Sequence, residues 1–267
     1  MTDPAPDQAD SLEALRREID AVDAELHRLL IRRGEVIERL IAAKRGAPTG
    51  SAFRPDREAE MIARLAARHS GRLPLATVEH IWREIIGTFT QLQAPFRVHA
   101  AATGRPESRD LLRFHFGFAT PVIDHPSPAA VIAGIRQGAT DLGVVPIDWS
   151  GEAWWELLDT GTDGVRAIAV LPFLTAADGW PRSLVLGPSA ISNPAADVTL
   201  IAAESQGPVQ PGRASDLVEV LAAADGRALL AHRGATGAAL ADAAAAGLVL
   251  SGIRPVGDYC SAPSQSF

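Results

Sequence analysis

The sequence predicts a chain of two parts: an all-α segment over residues 1–95, made of three helices, followed by an α/β domain over residues 96–267. Three observations carry this. Before Pro95 the apolar residues recur at steps of three and four, the period of a helix that packs on helices. After Pro95 short β-rich runs alternate with helical ones, and glycine and proline crowd the joints. The charge changes at the same place: residues 1–95 hold 14 Arg/Lys against 15 Asp/Glu, whereas residues 96–267 hold 11 against 17.

The first helix is expected from Leu12, with Ser11 as its N-cap, to the turn-forming run around Gly46, Pro48 and Gly50. Its seam reads Leu12, Leu15, Ile19, Val22, Leu26, Leu29, Arg33, Val36 and Leu40. At 1.5 Å per residue a helix of about 34 residues is roughly 50 Å long. That is too long to bury its seam within one small domain, so a partner chain is expected. A second helix opens at Pro55, with Asp56 and Glu58 at the positive end of its dipole, and runs to about His69. A third starts near Pro74, carries Val78, Ile81, Trp82, Ile85, Phe89 and Leu92, and stops before Pro95.

Beyond residue 95 strands are expected at 96–102, 121–124, 141–147, 165–174, 183–187, 198–203, 228–234 and 248–256. Helices are expected at 107–116, 127–137, 152–158, 214–224 and 236–246. Such alternation predicts a largely parallel sheet.

Composition narrows the function. A net charge of −7 argues against nucleic acid or an anionic membrane surface as a partner. No apolar run reaches membrane-spanning length, the N-terminal MTDPAPDQAD is no signal peptide, and Cys260 is the only cysteine. A cytoplasmic protein is expected. His99, His115, His125 and His232 lack the spacing of metal ligands.

The chemistry concentrates in the helical segment. A guanidinium buried in an apolar seam needs an anion, either a helix carboxylate or a ligand, unless the seam drifts and exposes it. Arg33 and Lys44, the only lysine in the chain, are 11 residues apart. They share a helix face about 16 Å apart, so two long side chains leaning together can grip a small dianion. Arg57 and Glu58 open the next helix, and Gln93 lies in phase with Trp82, Ile86 and Phe89. This set binds and polarises an anion but contains no nucleophile. Arg16 and Arg33 lie about 25 Å apart along one helix. If both serve one small ligand, Arg16 must come from the partner.

The stretches LEALRREIDAVDAELHRLLIRRGEVIERLIAAK (12–44), RPDREAE (54–60) and IWREIIGTFTQLQ (81–93) resemble the all-helical, AroQ-type chorismate mutases. The resemblance implies a domain-exchanged homodimer that rearranges chorismate to prephenate without a cofactor. Arg16, Arg33, Lys44, Arg57, Glu58 and Gln93 match that family's site positions. The implied roles are carboxylate binding by Arg16, Arg33 and Arg57, donation to the ether oxygen by Lys44 and Gln93, and a hold on the ring hydroxyl by Glu58. Arg54 stands where the family often has aspartate, and Phe89 where it often has serine.

In the second part, DLGVVPID (141–148) resembles the D-x-x-V-V-P-I-E-N segment of prephenate dehydratases. This implies a periplasmic-binding-protein-like α/β domain. Asp148 and Trp149 replace that family's Glu-Asn, and its Thr-Arg-Phe motif is absent from the chain, so dehydratase activity is not expected. Trp149, Trp154 and Trp155, with Asp148 and Glu152, either line a ligand cleft or form a packed aromatic patch. Three other functions stay open: an isochorismate pyruvate lyase, a bifunctional mutase/dehydratase, and a non-catalytic regulator responsive to chorismate.

Overall fold

The computed structural model describes residues 12–44, 51–101, 104–149, 152–174, 176 and 179–262. Ser11 and the turn-forming run 46–50 lie outside the described residues. By packing, the chain forms two compact units, residues 1–48 and 49–267. The change of sequence pattern at residue 95 therefore falls inside the second unit.

Among its described residues the first unit is a single helix, α1 (Leu12–Ala43), with no buried residue. Its seam is exposed throughout: Ile19 is 59% exposed, Val22 54% and Leu26 53%. Extended exposed apolar surface of this kind commonly marks an interaction site.

The second unit begins with α2 (Pro55–Arg68) and α3 (Leu75–Gln93), both with a proline at or before the first helical turn, as expected. They share a core of Ile62, Leu65, Val78 and Ile86, joined by Phe173 and Leu174 from the sheet domain. The buried face of α3 differs from the expected seam. It consists of Val78, Glu79, Arg83, Ile86, Gly87 and Thr90, while Ile81 and Leu92 are exposed. The reason lies in α4 (Pro106–Phe116), which packs against α3. A Cβ on Gly87 would stand 2.2 Å from the Phe116 carbonyl oxygen, so only glycine permits this approach. Gly87→Ala should cost about 1–3 kcal/mol in urea unfolding, because backbone rather than a side chain has to move.

The sheet has ten strands: β1 (Val98–Ala101), β2 (Val122–His125), β3 (Leu142–Pro146), β4 (Val165–Leu171), β5 (Ser183–Pro188), β6 (Val198–Ser205), β7 (Gly212–Arg213), β8 (Val218–Ala224), β9 (Arg227–His232) and β10 (Leu250–Tyr259). Their order is β2-β1-β3-β5-β4-β10-β6-β9-β8-β7. The expectation of a largely parallel sheet is corrected. Among the described residues β1–β2, β1–β3 and β4–β10 are parallel, and the other six pairings are antiparallel.

The strand-helix alternation holds only in the first part, where α4 and α5 (Pro128–Gln137) cross over β2-β1-β3. Side-chain alternation sends Val98 and Val144 to the core beneath α4, and Ala101 and Val145 to the core beneath α5. The helix expected at 214–224 is instead β8. Asp225 and Gly226 both have positive φ, 51° and 71°, and turn β8 back onto β9 with Ala224 opposite Arg227. Asp-Gly between two apolar runs is a hairpin signal, and it overrides the helical tendency of the alanines. The helix expected at 152–158 is reduced to a 3-10 turn, Trp154–Leu157. The last helix, α6 (Ala239–Ala245), follows a 3-10 turn at Thr236–Ala238.

Candidate active site

In the first unit α1 runs without a break and fixes the spacing of the three candidate cations, two within it and Lys44 just after its end. Arg16 is exposed, Arg33 is half-buried, and Lys44 is exposed in the closing turn, its N–H donating to Leu40 O at 3.1 Å. Arg16 and Arg33 do not converge, since 17 residues of straight helix hold them about 25 Å apart.

In the second unit Arg57 and Glu58 are neighbours in sequence but diverge. Arg57 is exposed, and the Glu58 side chain, only 12% exposed, turns inward to Arg83 Nη1 at 3.3 Å. Gln93 is half-buried, and its Nε2 donates to the Phe89 carbonyl of its own helix at 3.0 Å. Arg54 Nη1 donates to the carbonyls of Ser51 and Phe53, closing the loop ahead of α2.

Arg83 is a residue the sequence reading missed, together with Glu79. Its side chain is 2% exposed, with Glu58 on one side and Glu79 Oε1 at 3.6 Å on the other, and it lies over the Phe173 ring. A signal existed. Glu79, Arg83, Ile86 and Thr90 follow helical spacing, and Glu79 and Arg83 form an i,i+4 pair. Glu58, Arg83 and His115, but not Glu79, border a small cavity that Phe53, Phe173 and Cys260 also line. Burial pushes the Cys260 thiol up to about 11, which leaves it a poor nucleophile.

Burial also raises Glu58 to about 7, against the pull of Arg83. His115 is buried and held well below 6.5, first by desolvation and then by Arg83. The two shifts oppose one another in linkage. Between the ordinary values of 4.5 and 6.5 the unfolded chain carries a proton on His115, and the folded chain carries one on Glu58. Their contributions to the pH dependence then cancel, and single substitutions should expose them. Glu58→Gln should lose stability relative to the parent as pH falls below 6.5. His115→Asn should lose it as pH rises from 4.5 to about 7. Each slope is at most about 1.4 kcal/mol per pH unit, measurable by denaturant titration at a series of pH values.

In the sheet domain the expected segment 141–148 forms β3 and the turn after it. Asp141 is buried at its start, held below the ordinary carboxylate range by Arg97 despite desolvation. Arg97 donates to it through its backbone N–H and side chain, His99 Nε2 lies 3.2 Å away, and His99 Nδ1 meets His125 Nε2 at 2.7 Å. These histidines therefore serve a hydrogen-bond chain. Asp148 pairs with Arg105 at 3.1 Å. Trp154 and Trp155 are each 1% exposed and meet edge to face, Trp149 packs against the same core, and Glu152 is exposed.

Comparison with known proteins adds to this geometry. Residues 15–94 match the family model described as chorismate mutase type II. The bifunctional chorismate mutase/prephenate dehydratase of Stutzerimonas stutzeri is 29% identical over 151 residues, covering 54% of this chain and 41% of that protein. The enzyme of the same description from Pseudomonas aeruginosa is 30% identical over 149 residues, covering 54% and 40%. The chain thus spans about two-fifths of the length of these relatives. Both alignments are too long to lie within residues 15–94, so the likeness extends outside the helical segment. A solved prephenate dehydratase from Streptococcus mutans aligns with 63% of this chain and 99% of its own, at 14% identity and a TM-score of 0.36. The residues matched by the chorismate mutase type II family model, 15–94, span most of α1 and all of α2 and α3.

Proposed function

We propose that the chain is a chorismate mutase that converts chorismate to prephenate. The observation that carries this is α1: a 32-residue helix with an exposed apolar seam, interrupted by Arg33 and closed by Lys44, within a segment that matches the mutase family. The rearrangement is unimolecular and pericyclic. It asks for no acid, base, nucleophile or cofactor, only a compact substrate conformation and stabilisation of charge on the breaking ether oxygen. Arg33, Arg57 and the partner's copy of Arg16 take the two carboxylates. Lys44 and Gln93 donate to the ether oxygen, which requires the Gln93 amide to leave the Phe89 carbonyl. Glu58 holds the ring hydroxyl, which requires its carboxylate to serve both Arg83 and the ligand. A rate gain of order 10⁶ corresponds to about 8 kcal/mol, within reach of two aimed donors plus orientation.

The working form in this proposal is a homodimer in which the exposed seams of α1 cover one another. Ile81 and Leu92, exposed on α3, offer a second copy apolar surface within the second unit as well. Residues 1–95 act as the mutase domain and residues 96–267 as a domain without dehydratase activity. No helix among the described residues is long and apolar enough to cross a membrane.

Subunit mixing tests the arrangement. Arg16→Ala and Arg33→Ala homodimers should each be nearly inactive. After exchange a mixed dimer holds one site with both arginines, so the mixture should recover roughly a quarter of the parent activity. A mixture as inactive as its components would remove the exchanged arginine from the proposal. Assays of pyruvate release from isochorismate and of phenylpyruvate formation from prephenate should both be negative. A positive in the first would make the chain a lyase; a positive in the second would make it bifunctional.

A further inference from the structure

Arg83 has no part in the roles proposed above, yet it is the buried partner of a residue that does. It enters from α3, and its Nη1 lies 3.3 Å from Oε2 of Glu58 on α2, while its Nε faces Glu79 Oε1 at 3.6 Å. The charged and titratable groups around this pair are Asp56 on α2, Glu79 on α3, His115 on α4 and Cys260 just after β10. His115 is held well below 6.5 and the Cys260 thiol is pushed up to about 11, so both are uncharged near neutrality. Within this group Arg83 is therefore the one cation. The walls that keep the pair dry come from beyond residue 95. The Arg83 guanidinium carbon stands 5.6 Å from the Phe173 ring centroid, and His115 and Cys260 line the same cavity. In such surroundings a carboxyl group takes up a proton unless a cation opposes it.

We infer that Arg83 is a positioning residue of the proposed mutase site: from the buried side it fixes the Glu58 side chain and keeps it a carboxylate, ready to accept from the ring hydroxyl of the substrate. A hydroxyl donates to an ionised acceptor about twice as strongly as to a neutral one. Arg83 acts through Glu58 and needs no contact with the substrate. Glu58 keeps 12% of its side chain exposed, which leaves it an open edge, whereas Arg83 keeps 2%. The inference rests on the mutase reading and on the role given there to Glu58.

The test is the pH dependence of kcat/KM for chorismate in the full-length protein. In the parent, activity should rise as pH passes through about 7, where Glu58 loses its proton. Arg83→Gln keeps a donor beside Glu58 but removes the charge. It should move that rise upward by about one pH unit or more, so that kcat/KM falls about tenfold at pH 7 and recovers in alkali. Arg83→Lys restores the charge and should bring the rise back toward the parent's. Glu58→Gln should lack the rise, and adding Arg83→Gln to it should cost little more, as for two residues acting as one unit. If circular dichroism shows Arg83→Gln unfolded, Glu79→Gln/Arg83→Gln replaces it and is compared with Glu79→Gln, since one carboxylate then leaves with the cation. A loss that is the same at every pH, or losses that multiply in the Glu58→Gln/Arg83→Gln double variant, would overturn the inference. Carbon NMR of the ¹³C-labelled Glu58 carboxyl, assigned with Glu58→Gln, follows the same shift without turnover. An inactive parent would end the mutase reading; a Glu58 titration that Arg83→Gln leaves unmoved would end this inference alone.

Discussion

Replacing Lys44 with alanine should lower kcat/KM for the conversion of chorismate to prephenate by about 10²–10³-fold, the loss typical of removing one donor from a developing oxyanion. The loss should fall mainly on kcat. The ether oxygen gains charge only in the transition state, so a donor aimed at it contributes little to ground-state binding. Stability should barely change, because Lys44 is an exposed residue in the turn that closes α1. Steady-state kinetics beside a thermal melt separate the two effects. If kcat/KM is unchanged, Lys44 has no part in the chemistry. If activity and melting temperature fall together, its role is structural.

The second large effect is expected at Arg83. Replacing it with methionine nearly keeps the volume and the contact with Phe173, but leaves the carboxylates of Glu58 and Glu79 without the cation both pair with. Removing one partner from a buried ion pair typically costs about 3–5 kcal/mol. That is a third or more of the stability of an ordinary domain. The loss should be smaller at pH 5 than at pH 8, since protonation of Glu58 removes one uncompensated buried charge at the lower value. Adding Glu58→Leu and Glu79→Leu to the methionine variant should recover most of the loss, because an apolar triad needs no charge balance. Denaturant midpoints of the three proteins, each at pH 5 and pH 8, check all three statements. A methionine variant as stable as its parent would show that the triad is not what fixes α2 on α3.

The two segments differ in how much of the fold was legible. The three helices could be placed to within a few residues because their signals are local: a long period, Pro55 and Pro74 at the starts, Pro95 beyond the end. What could not be read was which face of α3 is buried. Ile81 and Leu92 are apolar and periodic, yet Glu79 and Arg83 are the buried ones. That choice is made by α4, through the backbone approach at Gly87, and by a glutamate 25 residues before Arg83. Neither partner is local to α3. In the sheet domain β8 was misread because alanine-rich runs suit both states, and the deciding residues, Asp225 and Gly226, lie after the run rather than in it.

The candidate site shows the same division. Arg16, Arg33 and Lys44 could be placed from α1 alone, since a straight helix fixes their spacing. The sequence could not show that Glu58 is engaged by Arg83, or that the Gln93 amide rests on its own helix. Both are tertiary or rotameric facts. They sharpen the proposal, because catalysis then requires two side chains to move or to share a partner.

The central claim is that this chain turns over chorismate, and proton NMR of chorismate incubated with the full-length protein tests it most directly. The account predicts stoichiometric conversion to prephenate, at a rate of order 10⁶ above that of chorismate in buffer. Decay of chorismate at the buffer rate, with the protein folded and in excess, would contradict it.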